Sequence, residues 1–290
     1  MKIGLVYPQT EFGSDPAAIR DYAQTAEGLG FSHLVTFDHV VGANPQRPGG
    51  WDGPYTYQHT FQEPLVLFSY LAGVTQKIGF TTSILILPQR QTVLFAKQAA
   101  TLDVLSGGRL RLGIGLGWNQ LEYESLLEDF HNRGKRIEEQ VTVLRKLWTQ
   151  PLVDFKGRWH TLPDVGLNPL PVQRPIPLWF GGHAEPVVKR AALMGDGWMP
   201  TYRTPAEARP WLDRLEGYLE EAGRSRTGFG VEVRLAYGDG DPHAWTQAVQ
   251  GWQAAGATHL SFNTMRHGFD TPAKHLAAMH LFADVVGLMA

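Results

Sequence analysis

VLFAKQAATLDVLSGGRLRLGIGLGW, residues 93–118, contains one complete helix-to-strand unit. Val93 to Leu105 carries apolar residues at helical spacing, and Ser106-Gly107-Gly108 stops it. Glycine past the last helical residue is the usual end signal, because only glycine enters the left-handed region cheaply. Leu110 to Leu116 then alternates apolar residues with small glycines, the pattern of a short strand covered on both sides. The connection is three or four residues long, which fits a helix packed directly against the strand that follows it.

The same unit recurs outward in both directions. Strands are expected at 3–7, 34–37 and 77–87 before it and at 177–180, 197–201, 229–237 and 258–262 after it. Helices are expected at 16–29, 63–74, 185–194, 206–222, 242–255 and 272–289, and a helical zone at 121–148 breaks near His131-Asn132. Asp15-Pro16 offers a cap and a first-turn proline. Two segments interrupt the alternation. Residues 40–61 are rich in Gly, Pro and aromatics without any period, and Val153 to Leu162 reads as a hairpin turning at Lys156-Gly157-Arg158. Eight strand-helix repeats in a single domain spanning residues 1–290 predict an α/β fold, a (β/α)8 TIM barrel with insertion loops after strand 2 and before strand 5. A doubly wound open sheet is the alternative. It is weakened because no G-x-G-x-x-G stands at the first strand-helix turn.

Composition narrows the function classes. The formal net charge is -2, which gives no electrostatic case for nucleic acid or an anionic membrane. Without cysteine there are no disulfides, zinc-thiolate sites or thiol nucleophiles. The 11 histidines show no H-x-x-x-H or H-E-x-x-H spacing, so no metal site is expected. No apolar run approaches the ~20 residues of a membrane helix, and the N-terminus lacks a signal-peptide pattern. A cytoplasmic protein acting on a small molecule is the expectation.

In a barrel the chemistry lies at the C-terminal ends of the strands. Strand 2 ends in Asp38-His39, either a hydrogen-bonded structural pair or a proton-handling one. Strand 4 ends in Gly117-Trp118-Asn119. Strand 5 ends in Gly181-Gly182-His183, directly before a helix, where backbone amides and the helix dipole can receive a phosphate. A plain tight turn is the other reading of that segment. Asp103 and Arg109 are expected to tie helix 93–105 to strand 4.

Three long motifs then give a resemblance. AEGLGFSHLVTFDH (26–39), FAKQAATLDVLSGGRLRLGIGLGW (95–118) and PLWFGGHAEPVVKRAALMGDGWMP (177–200) resemble the luciferase-like monooxygenase superfamily, and look closest to its F420-dependent oxidoreductase branch. The resemblance runs continuously to about residue 205. It implies a barrel that binds the deazaflavin coenzyme F420, or alternatively FMN, at the strand C-termini. It further implies a bulge on strand 3 at Thr82, Ser83, Ile84 and Leu85, with Ser83-Ile84 the candidate cis peptide behind the ring. Gly181 and Gly182, with His183, match the phosphate segment. Gly117, Trp118 and Asn119 match the strand-4 end, where some members carry an acid; the Trp here implies a different substrate. Asp38 and His39 match the pair facing the reactive ring centre. The family also implies a homodimer.

On that basis the expected chemistry is hydride transfer between F420 and a small organic substrate. His39 serves as acid/base, Asp38 orients it, and the 40–61 loop with Trp51, Tyr55 and Tyr57 covers the substrate. An FMN-dependent monooxygenase and a non-catalytic flavin-binding homologue are the rival readings.

Overall fold

The computed structural model describes residues 1–288; the expected end of the last helix at Met289 lies outside them. In chain order the elements are β1 (Lys2–Val6), α1 (Pro16–Gly28), β2 (His33–Thr36), α2 (Pro64–Val74), β3 (Gly79–Ile86), α3 (Thr92–Leu105), β4 (Leu110–Gly115), α4 (Gln120–Ser125) and α5 (Arg133–Thr149). The hairpin strands β5 (Val153–Lys156) and β6 (Thr161–Val165) follow. Then come β7 (Leu178–Gly181), α6 (Glu185–Met194), β8 (Gly197–Met199), α7 (Pro205–Glu221), β9 (Gly230–Ala236), α8 (Pro242–Ala254), β10 (His259–Asn263) and α9 (Pro272–Val286). Strands β1, β2, β3, β4, β7, β8, β9 and β10 close into an all-parallel barrel, with β5 and β6 as a separate antiparallel pair.

Local sequence explains the ends of these elements. Six helices carry a proline in their first turn, where the missing N–H costs nothing. Asp15, Glu63, Thr204 and Asp241 accept from first-turn amides of the helices they precede. The helical zone at 121–148 resolves into α4 and α5, separated where His131-Asn132 stand. The sixth barrel strand is shorter than expected, ending at Met199 rather than Thr201, since its last residues leave the sheet for the pocket rim.

One expected tie is corrected. Asp103 does not meet Arg109; its carboxylate accepts from the backbone and side-chain nitrogens of Gln173 at 2.9 and 2.7 Å. Arg109 instead donates to Thr75 Oγ1 and to the carbonyls of Ala72, Thr75, Ile78 and Ser106. Helix α3 is thus pinned to the proline-rich connection before β7, and Arg109 closes off the end of α2.

The barrel interior is not uniformly apolar. Glu232 on β9 is buried; its carboxylate accepts from His33 Nε2 at 2.8 Å and from Ser261 Oγ, and pairs with Arg111 Nη2 at 2.7 Å. The Arg111 guanidinium lies 4.0 Å above the Trp179 ring. Burial acts against the Glu232 charge, but Arg111 and His33 overcome it and hold the carboxyl far below the usual range. This plug fills the middle of the barrel and leaves the space above it, at the strand C-termini, for a ligand.

Candidate active site

The bulge expected on strand 3 is present. Pairing of β3 with β4 shifts register between Thr82 and Leu85, and the Ser83-Ile84 peptide is cis. The extra residue sends Ile84 inward. A Cβ added at Gly115 or at Gly181 would overlap the Ile84 side chain, so glycine at both positions is what admits it.

Above the plug lies a cavity of about 370 Å3. Of the residues singled out in the sequence, Ser83, Ile84, Gly117, Trp118, Gly181, Gly182 and His183 line it together. The others do not. Thr82 is buried and donates to the Gly113 carbonyl at 2.7 Å, and Leu85 is packed into the core. Asn119 caps α4 through Leu121 N at 3.1 Å and borders a smaller pocket beside His39.

The turn after β7 offers donors, though not the ones expected from Gly181-Gly182 alone. The Gly182 amide donates to the Met199 carbonyl at 3.1 Å and is used up in the barrel. The amides of His183, Ala184 and Glu185 have no acceptor among the described residues, and Ala184 gives α6 no side-chain cap. Gly182 at φ +129° aims this segment at the cavity rim, where only glycine is unstrained. Three open amides at a helix N-terminus can receive an anion.

Asp38 and His39 are separated by the fold. Neither lines the cavity. Asp38 is buried; its carboxylate accepts from Ile86 N at 2.9 Å and pairs with Arg90 at 2.8 Å. Burial opposes the Arg90 charge, yet Asp38 and Glu63 together raise its pKa above the ordinary value. Asp38 therefore anchors the far end of the bulged strand and does not orient His39. The reason is geometric: consecutive residues leaving a strand point to opposite sides, so adjacency in sequence did not become contact.

The partner of His39 is Glu122, which the sequence reading missed. His39 Nδ1 lies 3.1 Å from Glu122 Oε1, and the same oxygen accepts from Val40 N at 2.8 Å. Glu122 is 1% exposed, on the inner face of α4. His39 Nε2 has no protein partner among the described residues. With the Glu122 carboxylate accepting at Nδ1, Nε2 is left free to take or give a proton. The imidazole is packed by Phe61 at 4.7 Å, Tyr55 at 4.9 Å and Trp118 at 5.9 Å between ring centroids. Trp118 also lines the cavity, so it is the wall between His39 and the ring-sized space. A signal for Glu122 existed: an acid in the first turn of a short helix, three residues after a capping Asn119.

Arg234 on β9 is a charged residue of the cavity wall that the sequence reading also missed. Its signal was VEVRLA, residues 231–236, a barrel strand with two charges two residues apart and hence on one face. Among the described residues no group of His, Cys, Asp or Glu side chains gathers as a metal site, and no helix is long and apolar enough to cross a membrane.

The chain is similar to known proteins over most of its length. The luciferase-like monooxygenase family model matches residues 1–285. An uncharacterized protein of Mycobacterium tuberculosis is 34% identical over 209 residues, covering 70% of this chain and 72% of that one. An F420-dependent glucose-6-phosphate dehydrogenase of Intrasporangium calvum is 28% identical over 287 residues, covering 94% and 79%. The solved F420-dependent secondary alcohol dehydrogenase, in complex with an F420-acetone adduct, superposes with a TM-score of 0.80 at 18% identity over the full length of both chains, a likeness of fold. The chain belongs to the luciferase-like monooxygenase family.

Proposed function

We propose that this protein is an oxidoreductase that uses the deazaflavin coenzyme F420 to exchange a hydride with a small organic substrate. The observation that carries the reading is the cavity at the strand C-termini, with Ile84 forming one wall and three open amides beside its rim. The residues present suit a flat ring bearing a phosphate. Ile84, Phe180 and Val233 offer apolar surface to the ring, and the amides of residues 183–185 suit the phosphate. Similarity to relatives named as F420-dependent supports this choice of coenzyme.

When bound, the coenzyme supplies a carbon centre that accepts or donates hydride. The rest of the work falls to the chain. His39, fixed at Nδ1 by Glu122, holds or receives one proton at Nε2. Trp118, Tyr55 and Phe61 pack around that imidazole and fix its position. The loop at 40–61 carries Trp51 and Tyr55, and the Trp51 indole N–H, donating to the Tyr55 carbonyl at 2.7 Å, orders its tip.

The FMN-dependent reading has support from the family as a whole, whose description is that of monooxygenases. Titration of the purified protein with each coenzyme separates the two. Quenching of F420 fluorescence with micromolar affinity, and none or a far weaker effect with FMN, is the expected result. Tight FMN binding without F420 binding would refute the deazaflavin assignment. Binding of neither would leave the non-catalytic reading.

A further inference from the structure

We propose that Arg234 is the charge receptor for the reduced coenzyme, taking up the negative charge that the ring system gains with the hydride. The inference rests on the coenzyme reading above, but not on which of the two coenzymes is used. F420 and FMN share a pyrimidinedione edge. A hydride brings two electrons and one proton to the ring, so the product carries one more negative charge than the oxidised form, and resonance places it on the nitrogen and carbonyl oxygen of that edge. The balance requires no further reactant.

Three observations single out Arg234. It lines the cavity, and its guanidinium meets the strand-3 bulge: Nη2 lies 3.3 Å from Ser83 Oγ. Its flat face covers the Phe37 ring at 4.6 Å, which fixes the plane of the group and leaves its edge toward the cavity. And it is the cation there with no carboxylate of its own. Arg190, also in the cavity wall, is paired with Glu138 at 2.7 Å. Glu232, two residues away on the same face of β9, is engaged by Arg111, His33 and Ser261. Ser83 is the one hydrogen-bond partner of the Arg234 guanidinium among the described residues.

A cation held in a poorly solvated place with no carboxylate in ion-pair contact, only Glu232 acting on it from farther off, is costly to keep. A ligand that becomes anionic in that place relieves the cost, and relieves it in only one redox state. The oxidised ring carries one negative charge fewer at this edge and is held there mainly by a hydrogen bond. The reduced ring gains an ion pair. Arg234 therefore binds the two states unequally, and by linkage it makes the bound coenzyme easier to reduce. A substrate anion is the competing partner for the guanidinium. The Ser83 contact favours the coenzyme, since it places Arg234 on the bulge and not beside Glu122 and His39.

The test is anaerobic titration of FMN and of F420, each oxidised and chemically reduced, into the wild type and into Arg234→Met, Arg234→Gln and Arg234→Lys. The expected result is a dissociation constant for the reduced form that rises at least tenfold more than that for the oxidised form in Arg234→Met. Arg234→Gln behaves alike, and Arg234→Lys changes the ratio less than threefold. If Arg234→Met does not fold, Arg234→Gln decides. An equal loss in both redox states shows a packing role and overturns the proposal. So does an unchanged ratio accompanied by a raised KM for an anionic substrate, which would assign the guanidinium to that substrate. A wild type that binds neither coenzyme overturns the coenzyme reading itself. A wild type that binds but shows no redox-state dependence on residue 234 overturns only the role of Arg234.

Discussion

Replacing Asp38 distinguishes an anchor from a catalytic partner. The side chain is 1% exposed, and it serves two groups at once: the Ile86 amide at 2.9 Å and the Arg90 guanidinium at 2.8 Å. Asp38→Ala orphans the buried Ile86 N–H, which costs ~1–3 kcal/mol. It also leaves Arg90 largely buried with Glu63 as its remaining partner, at 3.0 Å and with that side chain 38% exposed. Breaking a fully buried pair costs ~3–5 kcal/mol, and Glu63 offsets part of it, so a total of about 3 kcal/mol is expected. Asp38→Asn keeps an oxygen for the Ile86 amide and loses only the charge, so it should cost roughly half as much. With an m-value of ~3 kcal/mol/M for a chain of this size, the urea midpoint should fall by about 1 M in Asp38→Ala. Tryptophan fluorescence reports the transition, because Trp148, Trp198 and Trp252 are fully buried. The double variant Asp38→Ala/Arg90→Met should recover part of the loss, since it removes the stranded charge. If Asp38→Ala keeps the wild-type midpoint while turnover collapses, the anchoring role is refuted and Asp38 returns to the position of His39's orienter.

The other predictions concern the site and the pH response. His39→Ala should lower kcat by roughly 10²–10⁴ with the fold intact, and Glu122→Gln should lower it by roughly tenfold or more through loss of the fixed imidazole; turnover near wild type in both would remove His39 from the chemistry. Gly181→Ala brings a Cβ into Ile84, an overpacking worth ~1–3 kcal/mol, and should weaken coenzyme affinity more than stability as Ile84 is pushed into the ring space; an unchanged dissociation constant would show that Ile84 does not wall that space. Burial, with Arg111 and His33 adding, pushes His259 down to about 3, and burial pushes His275 down to about 4. Both stay neutral in the folded protein at pH values where the unfolded chain already takes up protons, so stability should fall as pH drops below about 6.5 and continue to fall toward the folded values. The slope is at most ~1.4 kcal/mol per pH unit for each histidine. Urea midpoints at pH 7, 5.5 and 4.5 measure it, and His275→Asn should flatten it; a slope identical to wild type would show that His275 does not titrate between the two states.

The sequence by itself determined the barrel. Eight apolar runs, the prolines and caps that open the helices, and the glycines that end them are local signals, and each acts through its own few residues. It also determined which strand ends meet at the mouth. Ile84, Trp118 and Gly182 come from three strands and converge because all barrel strands run the same way. What the tertiary structure alone decided is pairing. Asp38 went to Arg90, 52 residues away, and His39 to Glu122, 83 residues away. Asp103 went to Gln173, 70 residues on, and not to Arg109. A carboxylate is satisfied by whichever donor the closed barrel brings within about 3 Å, and sequence neighbours leaving a strand point apart. Arg234 shows the same limit from the other side. Its charge is visible in the sequence, but its lack of a counter-ion is a property of the space around it.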